Sequence, residues 1–151
     1  MSDSQIILVD LDVSADDAPI LAERVRRWVL VERLDGVEVS VGPLVHLPVE
    51  NTGQQAVCPT CDRRFDTATW IEAADPVFTA WIQGSGMDVL PCPACGAALR
   101  THEWRWVDGE PWALGNLGVT FWNWPEPGDE HHERLRELFD GHQTCVIRAH
   151  L

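Results

Sequence analysis

"LPCPACGAALR", residues 90–100, sets Cys92 and Cys95 on either side of Pro93 and Ala94, with Gly96 directly behind. Upstream, "VCPTCDRRF", residues 57–65, repeats the form with Cys58 and Cys61 around Pro59 and Thr60, and with Asp62 in the place of Gly96. A tight turn of this kind aims two thiolates at one point. Two such turns supply the tetrahedral sulfur cage that Zn²⁺ prefers, at about 2.3 Å. Pro59 and Pro93 pre-set the turn backbone, Gly96 supplies the permissive conformation after the second knuckle, and Asp62 tolerates that conformation better than most residues. A thioredoxin-like redox pair would need one such unit in a βαβ setting, not two of the same form. Iron is the competitor for a cage made of sulfur alone. With all four positions filled by protein, no site is left for a catalytic water, so the expected role of the metal is structural.

"CPTC" and "CPACG" resemble the knuckles of the zinc-ribbon proteins, over residues 57–106 only. The resemblance implies one structural zinc per chain, held by Cys58, Cys61, Cys92 and Cys95. It implies no activity. Thirty residues separate Cys61 from Cys92. Most of that gap is "DTATWIEAADPVFTAWIQG" (66–84), which reads as two short helical turns, with Asp75 capping the second and Pro76 at its first position. Behind the second knuckle, "ALRTHEWRWVDGEPWALG" (98–115) reads as a hairpin turning at Asp108-Gly109.

Outside the knuckles the periodicities alternate between strand and helix. "SQIILVDLDV" (4–13) is a strand-length apolar run. A helix is expected over about 15–33, introduced by Ser14 and Asp17 in capping-box-like positions, with Pro19 in its first turns and Gly36 past its end. Leu21, Val25, Trp28 and Glu32 trace its inner face. "GVEVSVGPLVHLPVE" (36–50) alternates as a strand, broken at Gly42-Pro43, and "LGNLGVTFWNWP" (114–125) reads as another, stopped by Pro125 and Pro127. "GDEHHERLRELFDG" (128–141) reads as a helix burying Leu135, Leu138 and Phe139. "QTCVIRAHL" (143–151) closes the chain as a strand with Cys145, Ile147 and Ala149 on one face, which points to packing for Cys145 and not reactivity. This order predicts an α+β fold, a ferredoxin-like split βαβ sandwich, forming one domain over 1–151 with a zinc ribbon inserted at 57–106.

Length and composition narrow the function classes. A chain of 151 residues can bury one ordinary core. Its basic residues are all Arg, eleven of them with no Lys, which excludes Schiff-base chemistry and P-loop lysines. The net charge of −13 argues against nucleic acid and anionic membranes as partners. No apolar run reaches the ~20 residues that span a bilayer, and "MSDSQ" lacks the features of a secretory signal, so a cytoplasmic location is expected.

Three further features invite chemistry. Asp10 and Asp12 in "LVDLDVS" resemble the nucleophile motif of haloacid-dehalogenase-like phosphatases, but no Lys and no second acidic motif follow, and solvated strand-end residues are the expectation. His131 and His132, adjacent on a helix, point about 100° apart and cannot grip one ion together, so a solvated helix end is expected there. Trp104 with Trp106, and Trp122 with Trp124, are each spaced by two and predict paired indoles on single strand faces. Leu117, Val119 and Phe121 occupy the face opposite Trp122, so both faces of that strand need cover, from the ribbon, a second subunit or a partner.

The expectation that follows is a small, acidic, non-enzymatic structural-zinc protein that works through protein–protein contacts, as an adaptor, inhibitor or immunity-type protein, with a basic partner. Two alternatives stay open. One is a metal-dependent hydrolase or phosphatase using Asp10 and Asp12. The other is a nucleic-acid-binding ribbon using Arg63, Arg64, Arg100 and Arg105, although residues 58–105 carry no basic surplus.

Overall fold

The computed structural model describes residues 3–48, 54–125 and 129–150. Four strands form one antiparallel sheet: β1 (Ser4–Asp10), β2 (Val37–His46), β6 (Ala113–Trp122) and β7 (Thr144–His150), in the spatial order β2-β6-β1-β7. Three shorter strands, β3 (Gln55–Val57), β4 (Arg64–Asp66) and β5 (Arg105–Trp106), form a second sheet in the order β4-β3-β5. The helices are α1 (Ala18–Val31), α2 (Thr67–Ile82) and α3 (Asp129–Leu138). Pro127 lies outside the described residues.

Alternation along the strands of the large sheet creates two faces. Ile6, Leu8, Leu117, Val119 and Phe121 meet Leu21, Val25 and Trp28 of α1 and Leu135, Leu138 and Phe139 at the end of α3 in the main core. The opposite set, Ile7, Val9, Ala113 and Ile147, packs as a smaller cluster on the other face, with Cys145 at its margin. α1 begins where the Asp17 N–H donates to the Ser14 hydroxyl, with Pro at its first positions, and ends five residues before Gly36. Glu32 caps the helix end instead of extending its buried stripe.

His46 and Ala113 are paired neighbours at one end of the sheet. The chain therefore leaves and re-enters the large sheet at the same place, and the described elements between them, β3, β4, α2 and β5, pack as a second unit. α2 is one continuous helix and not two turns, with Asp66 as its N-cap accepting from the Thr69 N–H and Pro76 inside it. The reason is spacing: Trp70, Ala74, Phe78 and Trp81 follow the helical period and are all buried. That continuous face outweighs the hydrogen bond and the clash that an interior proline costs, about 3 kcal/mol.

The expected hairpin at Asp108-Gly109 is replaced by a different pairing. Arg105 and Trp106 pair with Val57 and Ala56 of β3, while Asp108, at φ +53°, turns the chain away toward β6. The Trp pairs are corrected as well. Trp104 precedes β5 and Trp106 lies within it, yet both are buried in the second unit's core with Trp70 and Trp112. Trp70 makes edge-to-face contacts with Trp106 and Trp112, at ring distances of 4.9 and 5.1 Å. Trp122 and Trp124 do not share a face. Asn123 between them is left-handed, at φ +58°, which rotates Trp124 onto the main core against Phe121, its indole N–H donating to the Asp35 carbonyl.

Candidate metal centre

The four cysteine sulfurs lie within 4.8 Å of one another. Cys58 Sγ is 3.8 Å from Cys95 Sγ, and Cys61 Sγ is 3.9 Å from Cys92 Sγ. Four sulfurs at about 2.3 Å from a tetrahedral ion would stand about 3.8 Å apart, so the spacing matches a metal cage and is far too long for a disulfide.

The two knuckles are built identically, which explains why the sulfurs converge. In the first, the Cys58 N–H donates to the Arg63 carbonyl, the Asp62 N–H to the Cys58 carbonyl, and the Thr60 N–H to Cys58 Sγ. In the second, Cys92 pairs with Ala97, Gly96 returns to Cys92, and the Ala94 N–H points at Cys92 Sγ. Asp62 and Gly96 occupy matching left-handed positions, at φ +60° and +73°. Cys58 and Cys92 are buried and Cys61 and Cys95 exposed, so the cage is set into the surface with its first cysteines inward. Burial pushes the Cys58 thiol up, but the amides of Cys61 and Thr60, with the Cys61 and Cys92 thiols, bring it down to about 7, while in Cys61, despite the Arg63 amide, burial and the neighbouring sulfurs push the thiol up to about 11. Amides aimed at sulfur favour the thiolate that a metal requires.

A polar junction ties this unit to the large sheet. Arg100, five residues beyond Cys95, donates from Nε to Asp88 Oδ2 at 2.9 Å, from Nη2 to the Leu11 carbonyl at 2.7 Å, and from Nη1 to Asp12 Oδ1 at 3.4 Å. Asp12 Oδ2 accepts the Gln143 N–H. Asp10 is fully buried, which corrects the expectation of a solvated strand end. Its Oδ1 accepts the N–H groups of Asp12 and Val13, and its Oδ2 lies 2.8 Å from His142 Nδ1. The hydrogen bond to Asp10 raises the His142 pKa. Asp10 and Asp12 therefore fasten the loop before β7 and the inserted unit onto the end of β1.

His142, Arg100 and Asp88 were not legible as a group, because they are far apart in sequence and carry no motif. His46 is a further residue the sequence did not mark. Its ring is buried over Gly118, where a Cβ would come within 2.6 Å of the imidazole, and desolvation lowers its pKa to about 4. His131 is half-buried, edge-on to Trp28 and Trp124, and so is not the solvated residue expected. Burial raises the Cys145 thiol to about 11, in keeping with a packing role. Of the four arginines between residues 63 and 105, Arg100 is committed to the junction, Arg105 pairs with Asp62 at 2.7 Å, and Arg63 and Arg64 are exposed.

Among the described residues no helix is long and apolar enough to cross a membrane. Set against protein-family models, curated proteins and solved structures, the chain has no significant match.

Proposed function

We propose that the chain is a zinc-stapled, non-enzymatic domain that binds a basic protein, and that its architecture is a ferredoxin-like split βαβ sandwich carrying an inserted zinc ribbon. The observation that carries the reading is the sulfur cage: four thiolates at tetrahedral spacing leave a zinc ion no open position, so it would act as a staple and not as a Lewis acid. Strand order supports the architecture. With the insertion set aside, the strands run second-third-first-fourth across the sheet with both remaining helices on one face, the arrangement of a split βαβ pair.

The carboxylates argue against the hydrolase alternative. A phosphoryl-accepting aspartate needs an oxygen open to substrate, whereas both oxygens of Asp10 are occupied from within and Asp10 has no exposure. The nucleic-acid alternative loses Arg100 and Arg105 to internal pairs. Charge favours a basic protein: −13 for the chain, and about −15 once four thiolates hold one Zn²⁺. Between α1 and α3, Glu32, Glu130, Glu133 and Glu137 line a groove with Trp28, His131 and Arg134, the last paired with Glu137 at 2.8 Å.

The test is recovery of native partners on the zinc-loaded protein, followed by association rates at low and moderate salt. The reading expects a basic partner whose on-rate falls as the Debye length shortens to about 8 Å. A partner whose on-rate ignores salt, or turnover of a phosphoester that Asp10→Asn abolishes, would overturn it.

A further inference from the structure

A cleft of about 300 Å³ opens where the inserted unit meets the large sheet, at the lower end of the volumes that hold small ligands. It is bounded by the loop from β1 to α1, by the end of α2 and the segment that follows it, and by Pro43, Arg100 and Asn116. Leu11, Val13 and Trp81 are buried and, with Pro43, give it an apolar lining. Gly84 and Gly86, both at positive φ, border it without side chains, and nothing lies within 4 Å of where a Cβ of either would stand. Junctions between packed units, apolar with a few polar groups, are where small-ligand sites concentrate.

The polar groups of the cleft differ in what they have left to bond. Arg100 commits Nε to Asp88 Oδ2 and Nη2 to the Leu11 carbonyl, and its Nη1 reaches Asp12 Oδ1 at 3.4 Å. Asn116 is only 7% exposed. Its Nδ2 donates to the Val13 carbonyl at 3.1 Å, which fixes the orientation of the amide, and among the described residues its Oδ1 meets no donor. A carbonyl oxygen so deeply buried is normally satisfied, and leaving it without a donor costs free energy. Asp88 repeats the pattern: its side chain is 14% exposed, Oδ2 is taken by Arg100, and Oδ1 has no donor among the described residues. Two carboxylates against one guanidinium leave the lining with a net charge of −1. Acceptor oxygens are therefore in excess here, inside a negatively charged and partly apolar cleft.

We infer that this cleft binds a guanidinium group, carried by a free small molecule or by an arginine side chain of another protein. The unpaired oxygens of Asn116 and Asp88 call for a ligand that donates several N–H groups, and the net charge calls for a cation. A guanidinium supplies both in one plane. It is also more weakly hydrated than an ammonium, so it gives up less water on entering beside Trp81 and Pro43. An anion would face two carboxylates and an arginine whose donors are already engaged. A divalent metal ion would face the Arg100 guanidinium that joins Asp12 to Asp88, and among the described residues no third carboxylate, His or Cys stands with those two at ligand spacing.

The experiment is a ¹⁵N NMR titration of the zinc-loaded full chain with N-acetyl-arginine amide, and with the citrulline and lysine counterparts as neutral and ammonium controls. The arginine probe should bind with a Kd of about 1 mM or below, and the two controls at least tenfold more weakly. The shifts should concentrate at the Asn116 side-chain amide, the Trp81 indole N–H and the amides of Gly84 and Gly86. Ala15 lines the cleft at an exposed position, so charge can be placed there without touching the core. Ala15→Arg should weaken binding about tenfold and Ala15→Glu should tighten it severalfold. Two further probes separate the sources. A capped Gly-Arg-Gly peptide that binds as tightly as the single residue assigns the site to a protein's arginine, and methylguanidine that binds while the peptide is excluded assigns it to a free small molecule. Absence of shifts at about 20 mM arginine probe overturns the proposal, as does citrulline or lysine binding equally well. Shifts that fall outside the cleft, or Ala15→Arg and Ala15→Glu acting alike, overturn the site. The cleft shares no residue with the groove between α1 and α3, and none of these readouts uses the basic partner, so either reading can fail alone.

Discussion

Acidification should destabilise the fold through one buried imidazole. His46 sits at the end of β2 with its ring over Gly118, hydrogen-bonded to the Gly115 backbone at one nitrogen and without a partner at Nε2. Burial lowers its pKa from 6.5 to about 4. Between those values the unfolded chain binds a proton that the folded chain refuses. Stability therefore rises with pH across that window: the contribution is fully present above pH 6.5 and is lost as pH falls toward 4. At about 1.4 kcal/mol per pKa unit the whole loss is about 3 kcal/mol, of which about 2 kcal/mol has gone by pH 5.

Acid also releases zinc from a thiolate cage, because protons compete with the metal for sulfur, so the measurement is a difference. Denaturant unfolding at pH 7 and pH 5, with zinc in excess, is compared between the native chain and His46→Gln, whose amide can keep a donor toward Gly115 without titrating. The native chain should lose about 2 kcal/mol more than the variant on acidification, or roughly 5 °C in Tm for a chain of this size. Equal losses in the two proteins would refute the argument and return His46 to an ordinary, solvated pKa.

His142 should act in the opposite sense. Its hydrogen bond to Asp10 raises its pKa, so its contribution is present below 6.5 and is lost as pH rises through the folded value; Asp10→Asn should move the His142 titration back down, as read by NMR of the imidazole protons. Elemental analysis should find one zinc per chain, and Cys92→Ser should both lose the metal and unfold the inserted unit, seen as lost near-ultraviolet signal from its tryptophans. Gly118→Ala should cost about 1–3 kcal/mol, because the new methyl meets the His46 ring, and His46→Ala should then be less damaging in that background than alone, in a double-mutant cycle. Arg100→Met should cost about 1–2 kcal/mol in denaturant unfolding, since Asp88 and the Leu11 carbonyl lose a charged donor at a partly exposed site.

The features that could be read from the sequence were those set by local spacing. The knuckles, including Asp62 as the counterpart of Gly96, follow from residue order over a few positions, as do the apolar faces of β6 and α1. The misreadings arose where tertiary packing overrode a local signal. Pro76 suggested a helix start, but Trp70, Ala74, Phe78 and Trp81 needed one uninterrupted face. Asp108-Gly109 suggested a hairpin, but β3 offered Arg105 and Trp106 a better partner strand. Asn123 reversed the face of Trp124 by adopting a conformation that no periodicity encodes. Asp10 looked solvated because its partners, the Val13 amide and His142, reach it through a turn and across 132 residues respectively.

The position of the insertion explains why a metal on one unit should matter to the other. Leu114 and Val45, which belong to the strands of the large sheet, pack in the core that contains Cys58 and Cys92. Arg100, from the segment just beyond the second knuckle, holds the Leu11 carbonyl and Asp12 at the end of β1. The inserted unit is thus joined to the sheet by shared apolar packing at the His46–Ala113 end and by a charged brace at the end of β1. If the cage opened, Cys58 and Cys92 would no longer be held together, the Trp70 cluster would lose one wall, and the strand ends at Val45 and Leu114 would lose part of their cover. Metal removal should accordingly raise hydrogen exchange first in the knuckles, then at Val45 and Leu114, and least at Ile6 and Leu8, whose core is formed with α1, α3 and β6 and takes in no residue of the cysteine unit. Uniform exchange across both units after chelation would show that they fold as one cooperative block, and exchange confined to the knuckles would show that the shared core does not carry the coupling.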